Sequence, residues 1–357
     1  MNKPYKGQTP QNITITQIAQ KAGVSISTVS RVINNSSLVS GGTMARVKAV
    51  IDKYRYIPNR LAQGLANQSS KAIALIVPDI ANPFFASIIH GIEDVFIANG
   101  YSMFLCNSNF NHDREGRFLE EMAERRVDGA IMISAFLQNT SLIHRLHQTV
   151  MPIIGVQTNI EGIDCINTTD YDAMKRLTEH LIALGHNKIG FICIDVRGCK
   201  NRFEAYKDTL NAAGISINDA YIRENTDGIY KKNPGYGMAC ELLSLPEPPT
   251  AIQALNDYLA CGAYKAVIER GLKIPEDISI TGYDDLPLSS LLNPSLTTVR
   301  QPSYEMGEAG GELLLRHMNS GGAASPRREI LFQTEVILRG STHECKLSDP
   351  KKKTRAI

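Results

Sequence analysis

In the first sixty positions, apolar residues recur at helical spacing in three short runs. Thr14 followed three residues later by Gln17 forms a capping box, in which each side chain takes a backbone N–H that the first turn leaves unpaired. Ile18, Ala19 and Ala22 then share one face, and Gly23 stands where a left-handed residue ends a helix. Ser25 caps a second run that buries Val29 and Val32 and turns Ile26, Ser27, Ser30, Arg31 and Asn34 outward. Ser40 caps a third, whose Val47, Val50, Ile51 and Tyr54 recur at i, i+3, i+4 and i+7 and close a small core. Two short helices joined by a tight Gly turn, the second with a small, polar, basic outer face, read as a helix-turn-helix whose second helix enters the major groove of DNA. The pattern predicts a disordered arm over 1–12 and an all-α DNA-binding head over 13–57.

Pro58 ends the head. Asn59 to Asn67, NRLAQGLAN, is compatible with a helix but too short and Gly-interrupted to stand alone in water, so 58–70 is expected to be a hinge that folds on binding. From Lys71 the pattern changes. Ala72 to Val77, Tyr101 to Cys106, Gly129 to Ile133, Pro152 to Val156, Lys188 to Ile194, Thr250 to Leu255 and Ile278 to Gly282 are short apolar runs. Amphipathic stretches stand between most of them: Phe84 to Asn99, Asp113 to Arg126, Asp172 to Leu184, Asn201 to Ala213 and Leu259 to Arg270. Strands buried on both faces and separated by helices mean parallel, doubly wound sheets, and there are too many strands for one sheet. Two Rossmann-like lobes are expected over 71–340.

Charge sharpens this division. The 357 residues carry a formal net charge of only +2, but residues 1 to 70 hold nine Lys or Arg against the single acid Asp52, a net +8. Residues 341 to 357 hold five against Glu344 and Asp349, a net +3, which leaves −9 on residues 71 to 340. A basic head on an acidic body is what nucleic-acid binding by one end predicts. The N-terminus has no apolar segment of a signal peptide, and no apolar run approaches the ~18 residues of a membrane span, so a cytoplasmic location is expected. Seven cysteines, none in C-x-x-C spacing, suggest neither a zinc site nor a disulfide framework.

The run Ala22-Gly23-Val24-Ser25-Ile26-Ser27-Thr28-Val29-Ser30-Arg31-Val32-Ile33-Asn34 resembles the opening signature of the LacI/GalR family of bacterial transcription regulators. The resemblance continues through Tyr56-Ile57-Pro58-Asn59-Arg60-Leu61-Ala62. At lower density it reaches Gly185-His186, Asn256-Asp257, Gly282-Tyr283-Asp284-Asp285 and Arg339-Gly340-Ser341. It implies a core of type I periplasmic-binding-protein-like fold, the chain crossing between lobes near residues 168, 300 and 329. Lobe 1 would span about 71–168 and 301–328, lobe 2 about 169–300 and 329–340, with a disordered basic tail over 341–357. It also implies a homodimer on a pseudo-palindromic operator, contacted by Thr14, Ser25, Ile26, Ser27, Thr28, Ser30, Arg31, Asn34, Asn59, Arg60, Ala62 and Leu65. The hinge helix would pair with its dimer mate in the minor groove, and Leu65 would wedge between base steps. Gly41 and Gly42 depart from the family, which usually sets a phosphate-contacting basic residue near the second of them.

In open parallel sheets ligands bind outside the carboxyl ends of the strands. The residues there are Asp79, Phe84 and Phe85 after the first strand, Asn107 after the second, Arg197 to Arg202, Asn256-Asp257, and Asp284. By resemblance Phe84, Phe85 and Tyr230 wall in an effector, Arg202 and Asp284 hydrogen-bond its polar groups, and Asn256 lines the same lobe. Such a set suits a sugar, sugar derivative or nucleobase-like solute. Thr168 stands where many family members carry a ligand-contacting Asp, which counts against a purine-type contact there. No G-x-G-x-x-G follows the first strand of either lobe, and there is no G-x-x-x-x-G-K-[ST] loop or nucleophile elbow, so an enzyme lacks its phosphate cradle. His144 and His147, at i and i+3, have no Cys or carboxylate beside them and read as a helix surface. The Lys351-Lys352-Lys353 run reads as a solvated tail, without the apolar heptads of a coiled coil. The expectation is a non-enzymatic, ligand-responsive repressor of sugar or related catabolic genes, needing no cofactor or metal. The rival, a periplasmic solute-binding receptor, would need a signal peptide and would not carry the basic head.

Overall fold

The computed structural model describes residues 13–33, 38–56, 69–134, 140–194, 200–224, 234–320 and 328–345. The expected arm, the expected hinge over 58–70 except Ser69 and Ser70, and the end of the tail lie outside them. The chain divides into a head, Met1–Ser70, and a core, Lys71–Ile357.

The head has three helices, α1 (Ile15–Ala22), α2 (Ile26–Ile33) and α3 (Gly41–Tyr54). The capping box forms: Thr14 Oγ1 accepts from the Gln17 N–H at 3.3 Å, and Gln17 Oε1 accepts from the Thr14 N–H at 2.8 Å. Gly23 closes α1 at φ 63. Ile18, Ala19, Ala22, Val29, Val32 and Val47 make the core, with Val50 and Ile51 against its edge. Two expectations for α3 fail. The Ser40 hydroxyl donates to Thr43 Oγ1 at 3.0 Å and caps no backbone N–H. Tyr54 is exposed, its ring lying under Lys21 Nζ at 4.6 Å; its hydroxyl can stay in water while the ring takes a cation, which an aliphatic residue at that spacing could not do.

Twelve strands and eight further helices make the core, among the described residues. Lobe 1 is a six-stranded parallel sheet in the order β11-β5-β4-β3-β1-β2. Its strands are β1 (Ala72–Val77), β2 (Ser102–Asn107), β3 (Gly129–Ile133), β4 (Ile153–Val156), β5 (Cys165–Thr168) and β11 (Glu329–Phe332). Around it lie α4 (Pro83–Ala98), α5 (His112–Glu124), α6 (Thr140–Thr149) and α11 (Ser303–Asn319). Lobe 2 is a four-stranded parallel sheet, β7-β6-β8-β9, with β6 (Ile189–Cys193), β7 (Ile222–Glu224), β8 (Ala251–Ala254) and β9 (Ser279–Thr281). Its helices are α7 (Asp170–Ala183), α8 (Lys200–Ala212), α9 (Pro234–Leu243) and α10 (Asp257–Glu269). The apolar runs of β1, β3, β4, β6, β8 and β9 are buried on both faces throughout, whereas β2, expected among them, is an edge strand that exposes Phe104 and Leu105.

Three crossings join the lobes, after β5, after the short antiparallel pair member β10 (Thr298–Arg300), and before its mate β12 (Glu335–Ile337). The third comes later than expected. Glu329 to Phe332 pair in register with Cys165 to Thr168, so β11 belongs to lobe 1 and the chain crosses at 333–334. Only Gln333 and Thr334 stand between β11 and β12, so no Gly or Pro marks that boundary in the sequence. The tail also starts late. Ser341 is fully buried, its hydroxyl accepting from the Thr297 N–H at 2.8 Å and donating to the Ile280 carbonyl at 2.6 Å, and Cys345 N–H reaches the Leu184 carbonyl at 2.7 Å. The helical His pair is structural: His147 Nδ1 accepts from the Ile153 N–H at 2.9 Å, and the His144 ring meets the Glu161 carbonyl. No helix among the described residues is long and apolar enough to cross a membrane.

Candidate functional site

In the head, α2 presents the polar face that its sequence requires. Ser25 Oγ accepts from the Thr28 N–H at 3.1 Å and lies 2.7 Å from Ser27 Oγ and 2.8 Å from Thr28 Oγ1, so three hydroxyls fix the first turn. Ser25, Ile26, Ser27 and Arg31 are exposed, Ile26 to 47%, while Thr28 and Ser30 are half-buried and Val29 and Val32 fully buried. Thr14 is exposed at the start of α1. Asn34, Asn59, Arg60, Ala62 and Leu65 lie outside the described residues.

In the core, the carboxyl ends of both sheets meet near the crossings, and there the chain assembles a buried polar network. Arg202, on the first turn of α8, donates from Nε to Asp170 Oδ2 at 3.0 Å and from an Nη to Asp170 Oδ1 at 3.3 Å. Its other Nη donates to the Leu255 carbonyl at 3.2 Å, and the guanidinium lies 3.7 Å from the centre of the Tyr283 ring. Tyr283 OH and Thr168 Oγ1 both donate to Asp170 Oδ1, at 2.9 and 2.6 Å. Gln157 Nε2 donates to Thr168 Oγ1 at 2.9 Å and to Gln301 Oε1 at 2.8 Å, and Gln301 Nε2 donates to Asp284 Oδ1 at 2.6 Å. Lobe 1, two crossings and lobe 2 are thus tied by one chain of hydrogen bonds.

Burial dominates the titration of this network. It pushes the Asp284 carboxyl well above the usual range, against the pull of Arg202 and the Gln301 hydrogen bond. Burial would lower Arg202, but Asp170, Tyr283 and Asp284 outweigh it and hold the guanidinium above its ordinary value. Beside them, burial raises Asp257 to about 6 although Ser289, Thr298 and the Leu286 N–H all donate to it. The backbone is strained as well: Asp284 has φ 113 and Asp285 φ 51, conformations that cost non-Gly residues on the order of 1–3 kcal/mol each. Asp285 is held by Arg300 Nε at 2.8 Å and an Arg339 Nη at 2.6 Å, and the Asp284 N–H donates to the Val299 carbonyl at 2.8 Å.

The other expected effector residues divide. Asn256 caps α10, its Oδ1 accepting from the Leu259 N–H at 3.0 Å, and Asp79 turns the loop after β1 by accepting from the Ala81 N–H at 2.9 Å. Phe84 and Phe85 are both buried, edge to face at 5.3 Å, in a cluster that also takes Leu286 from lobe 2. They wall the junction, but neither offers an open ring face. Tyr230 lies outside the described residues. Sequence reasoning missed Asp170, Tyr283, Gln301 and Gln157 as members of the network. Tyr283 sat inside the quoted Gly282-Tyr283-Asp284-Asp285 motif, whereas Asp170 stands just before the helix expected from Asp172 and carried no signal of its own. Gln157 and Gln301 carried no local signal.

Comparison with known proteins places these features together elsewhere. Residues 14–59 match the model of bacterial regulatory proteins of the lacI family, and residues 178–342 match that of a periplasmic binding protein-like domain. The chain is similar to the HTH-type transcriptional repressor PurR of Haemophilus influenzae (strain PittEE), at 34% identity over 334 residues, covering 92% of this chain and 98% of that one. Among solved structures it resembles a lac repressor dimer bound to operator and the anti-inducer ONPF, with TM-score 0.81 and 28% identity over 93% of this chain and 100% of that one. It also resembles a LacI family transcriptional regulator from Enterococcus faecium with bound ribose, with TM-score 0.68 and 31% identity over 77% of this chain and 100% of that one.

Proposed function

Because the chain belongs to the lacI family of bacterial regulatory proteins, a family of DNA-binding transcription regulators without catalytic activity, we propose that it is a repressor of sugar or related catabolic genes. It works in the cytoplasm as a homodimer on a pseudo-palindromic operator. A small effector seated at the lobe junction changes the relation of the two lobes and, through the hinge, the affinity for DNA.

The observation that carries this reading is the hydrogen-bond chain from Gln157 through Gln301 to Asp284. It joins the lobes through their crossings at the place where open parallel sheets bind ligands. A solute that bonds Arg202 or Asp284 must rearrange the same side chains that set the lobe angle. In the head, Ile26, Ser27 and Arg31 are the exposed readers of base edges and phosphates. Thr14, Ser25, Thr28, Ser30, Asn34, Asn59, Arg60 and Ala62 support or extend that contact, with Leu65 as the minor-groove wedge. For the dimer, exposed apolar residues stand on both lobes: Ile97, Phe104 and Leu105 on α4 and the edge strand β2, and Ile268 on α10 beside the half-buried Leu292. The lac repressor structure that this chain resembles is a dimer on its operator.

A thermal-shift screen of sugars, sugar derivatives and nucleobases on the full chain tests the effector reading. A ligand at ~100 times its dissociation constant should stabilise the protein by about 2.7 kcal/mol. Calorimetry with that ligand on Asp284→Ala and Arg202→Ala should show affinity reduced by about one to two orders of magnitude, since a lost partner to a charged group costs on the order of 1.5–3 kcal/mol. Full affinity in both variants would move the effector site elsewhere.

A further inference from the structure

The Arg202 guanidinium spends three of its five N–H donors inside the protein. One edge is closed on Asp170, the remaining nitrogen is on the Leu255 carbonyl, and one face is on the Tyr283 ring. Only 11% of its side chain and 17% of that of Asp170 are exposed. Arg recognises phosphate and carboxylate through two parallel N–H bonds from one edge, so an anionic solute taking the Nε edge must first displace Asp170, and one taking the other edge must share it with the Leu255 carbonyl. Among the described residues, no other cation belongs to the network. The neighbouring carboxyls are Asp284 and Asp257, and no hydrogen bond from the described residues reaches the second oxygen of Asp284.

From this geometry, and resting on the reading of the lobe junction as the effector site, we propose that Asp170 is a specificity-determining residue: by occupying the fork of Arg202 it makes the junction select uncharged, hydroxyl-rich solutes and reject phosphorylated or carboxylated ones. The acceptors left at the site, a carboxyl oxygen of Asp284 and the outer lone pairs of Asp170, suit hydroxyl donors. A phosphate there would be buried beside acids with its charge unpaired, which is costly. Burial pushes the Asp284 carboxyl up, which works the same way, since a carboxyl that holds its proton more firmly is better able to donate to a sugar hydroxyl as well as accept from it. The similar regulator from Enterococcus faecium holds ribose, an uncharged sugar.

The test is calorimetry on the full chain and on Asp170→Asn with inorganic phosphate and ribose 5-phosphate as probes. The basic head is common to both proteins, so its anion binding cancels in the comparison. Asn keeps the shape of Asp170 but not its charge, and the freed guanidinium should bind both anions at least tenfold more tightly than wild type does. Equal affinities in the two proteins, including no binding by either, would overturn the proposal. The wild-type protein gives a second reading that needs no folded Asp170 variant: its phosphate binding should be unchanged in Arg202→Gln. Phosphate binding that Arg202→Gln abolishes would show an Arg already open to anions, and would also overturn it. Failure of the effector reading looks different: no uncharged sugar, ribose included, would bind wild type, while the anion gain of Asp170→Asn could still be seen.

Discussion

Asp284 carries two costs at one position, a buried carboxyl and a backbone at φ 113. Its carboxyl is raised by burial well above the usual range, so the folded chain holds that proton to higher pH than the unfolded chain does. A raised acid gives its full stability below the unfolded value of ~3.9 and loses it as pH rises toward the folded value, because there the native state binds more protons than the unfolded one. Asp284→Asn imitates the protonated form and still offers Gln301 an acceptor. Wild type should therefore lose stability relative to Asp284→Asn as pH climbs above about 4, measured by urea unfolding at each pH. Parallel curves for the two proteins would mean that folding does not raise the Asp284 carboxyl. Asp257, raised to about 6, adds the same sign over pH 4 to 6 in both proteins. Nothing in the residues flanking Asp284 announced this. The acid was legible from its place after a strand, but its burial depends on Gln301 and Arg202, which are remote in sequence.

At the scale of elements, helices and strands were legible where one face or both faces are uniformly apolar. The run Ala72 to Val77 is β1 to the residue, Gly129 to Ile133 is β3 to the residue, and the helix expected over Phe84 to Asn99 is α4 shifted by one. What could not be read is packing between elements distant in sequence. In isolation the glycines of α11 look like helix weakeners, each costing about 1 kcal/mol against Ala. Gly307 instead lets α11 lie on α4: a Cβ there would fall inside contact distance of the Ile88 carbonyl oxygen, and one on Gly91 inside that of the Tyr304 carbonyl oxygen. Since backbone blocks the space on both sides, Gly307→Ala should destabilise the core by about 1–3 kcal/mol despite its better helix propensity. An unchanged denaturation midpoint would show that the helices can part. The head gives the opposite case, where local pattern nearly suffices. Ile26 and Ser27 are exposed at the start of α2, so exchanging both should change which operator is preferred in a selection assay while leaving nonspecific affinity near wild type. Uniform weakening on all sequences would mean that they face away from the bases.

For the whole molecule the charge division and the polar junction make one linked prediction. With +8 on residues 1 to 70 and −9 on residues 71 to 340, phosphate contact falls to the head. A dimer that neutralises on the order of 6–10 phosphates should lose roughly 10³ to 10⁵ in operator affinity between 50 and 200 mM salt. Effector binding at the junction should stay nearly flat over that range if the solute is uncharged, because no counterion is released there. The two sites are nevertheless coupled through the lobes, and coupling between binding sites is reciprocal. If effector changes operator affinity by some factor, typically 5- to 150-fold, operator must change effector affinity by that same factor. The measurement is effector titration of the full chain with and without saturating operator at 50 mM salt, set beside operator titration with and without effector. Gln301→Ala removes the side chain that links Gln157 of lobe 1 to Asp284 of lobe 2, so it should shrink the factor in both directions by equal amounts while both sites still bind. A variant that keeps the full coupling factor would show that the lobes communicate by a route that avoids the hydrogen-bond chain, and the junction would then be a binding site without being the switch.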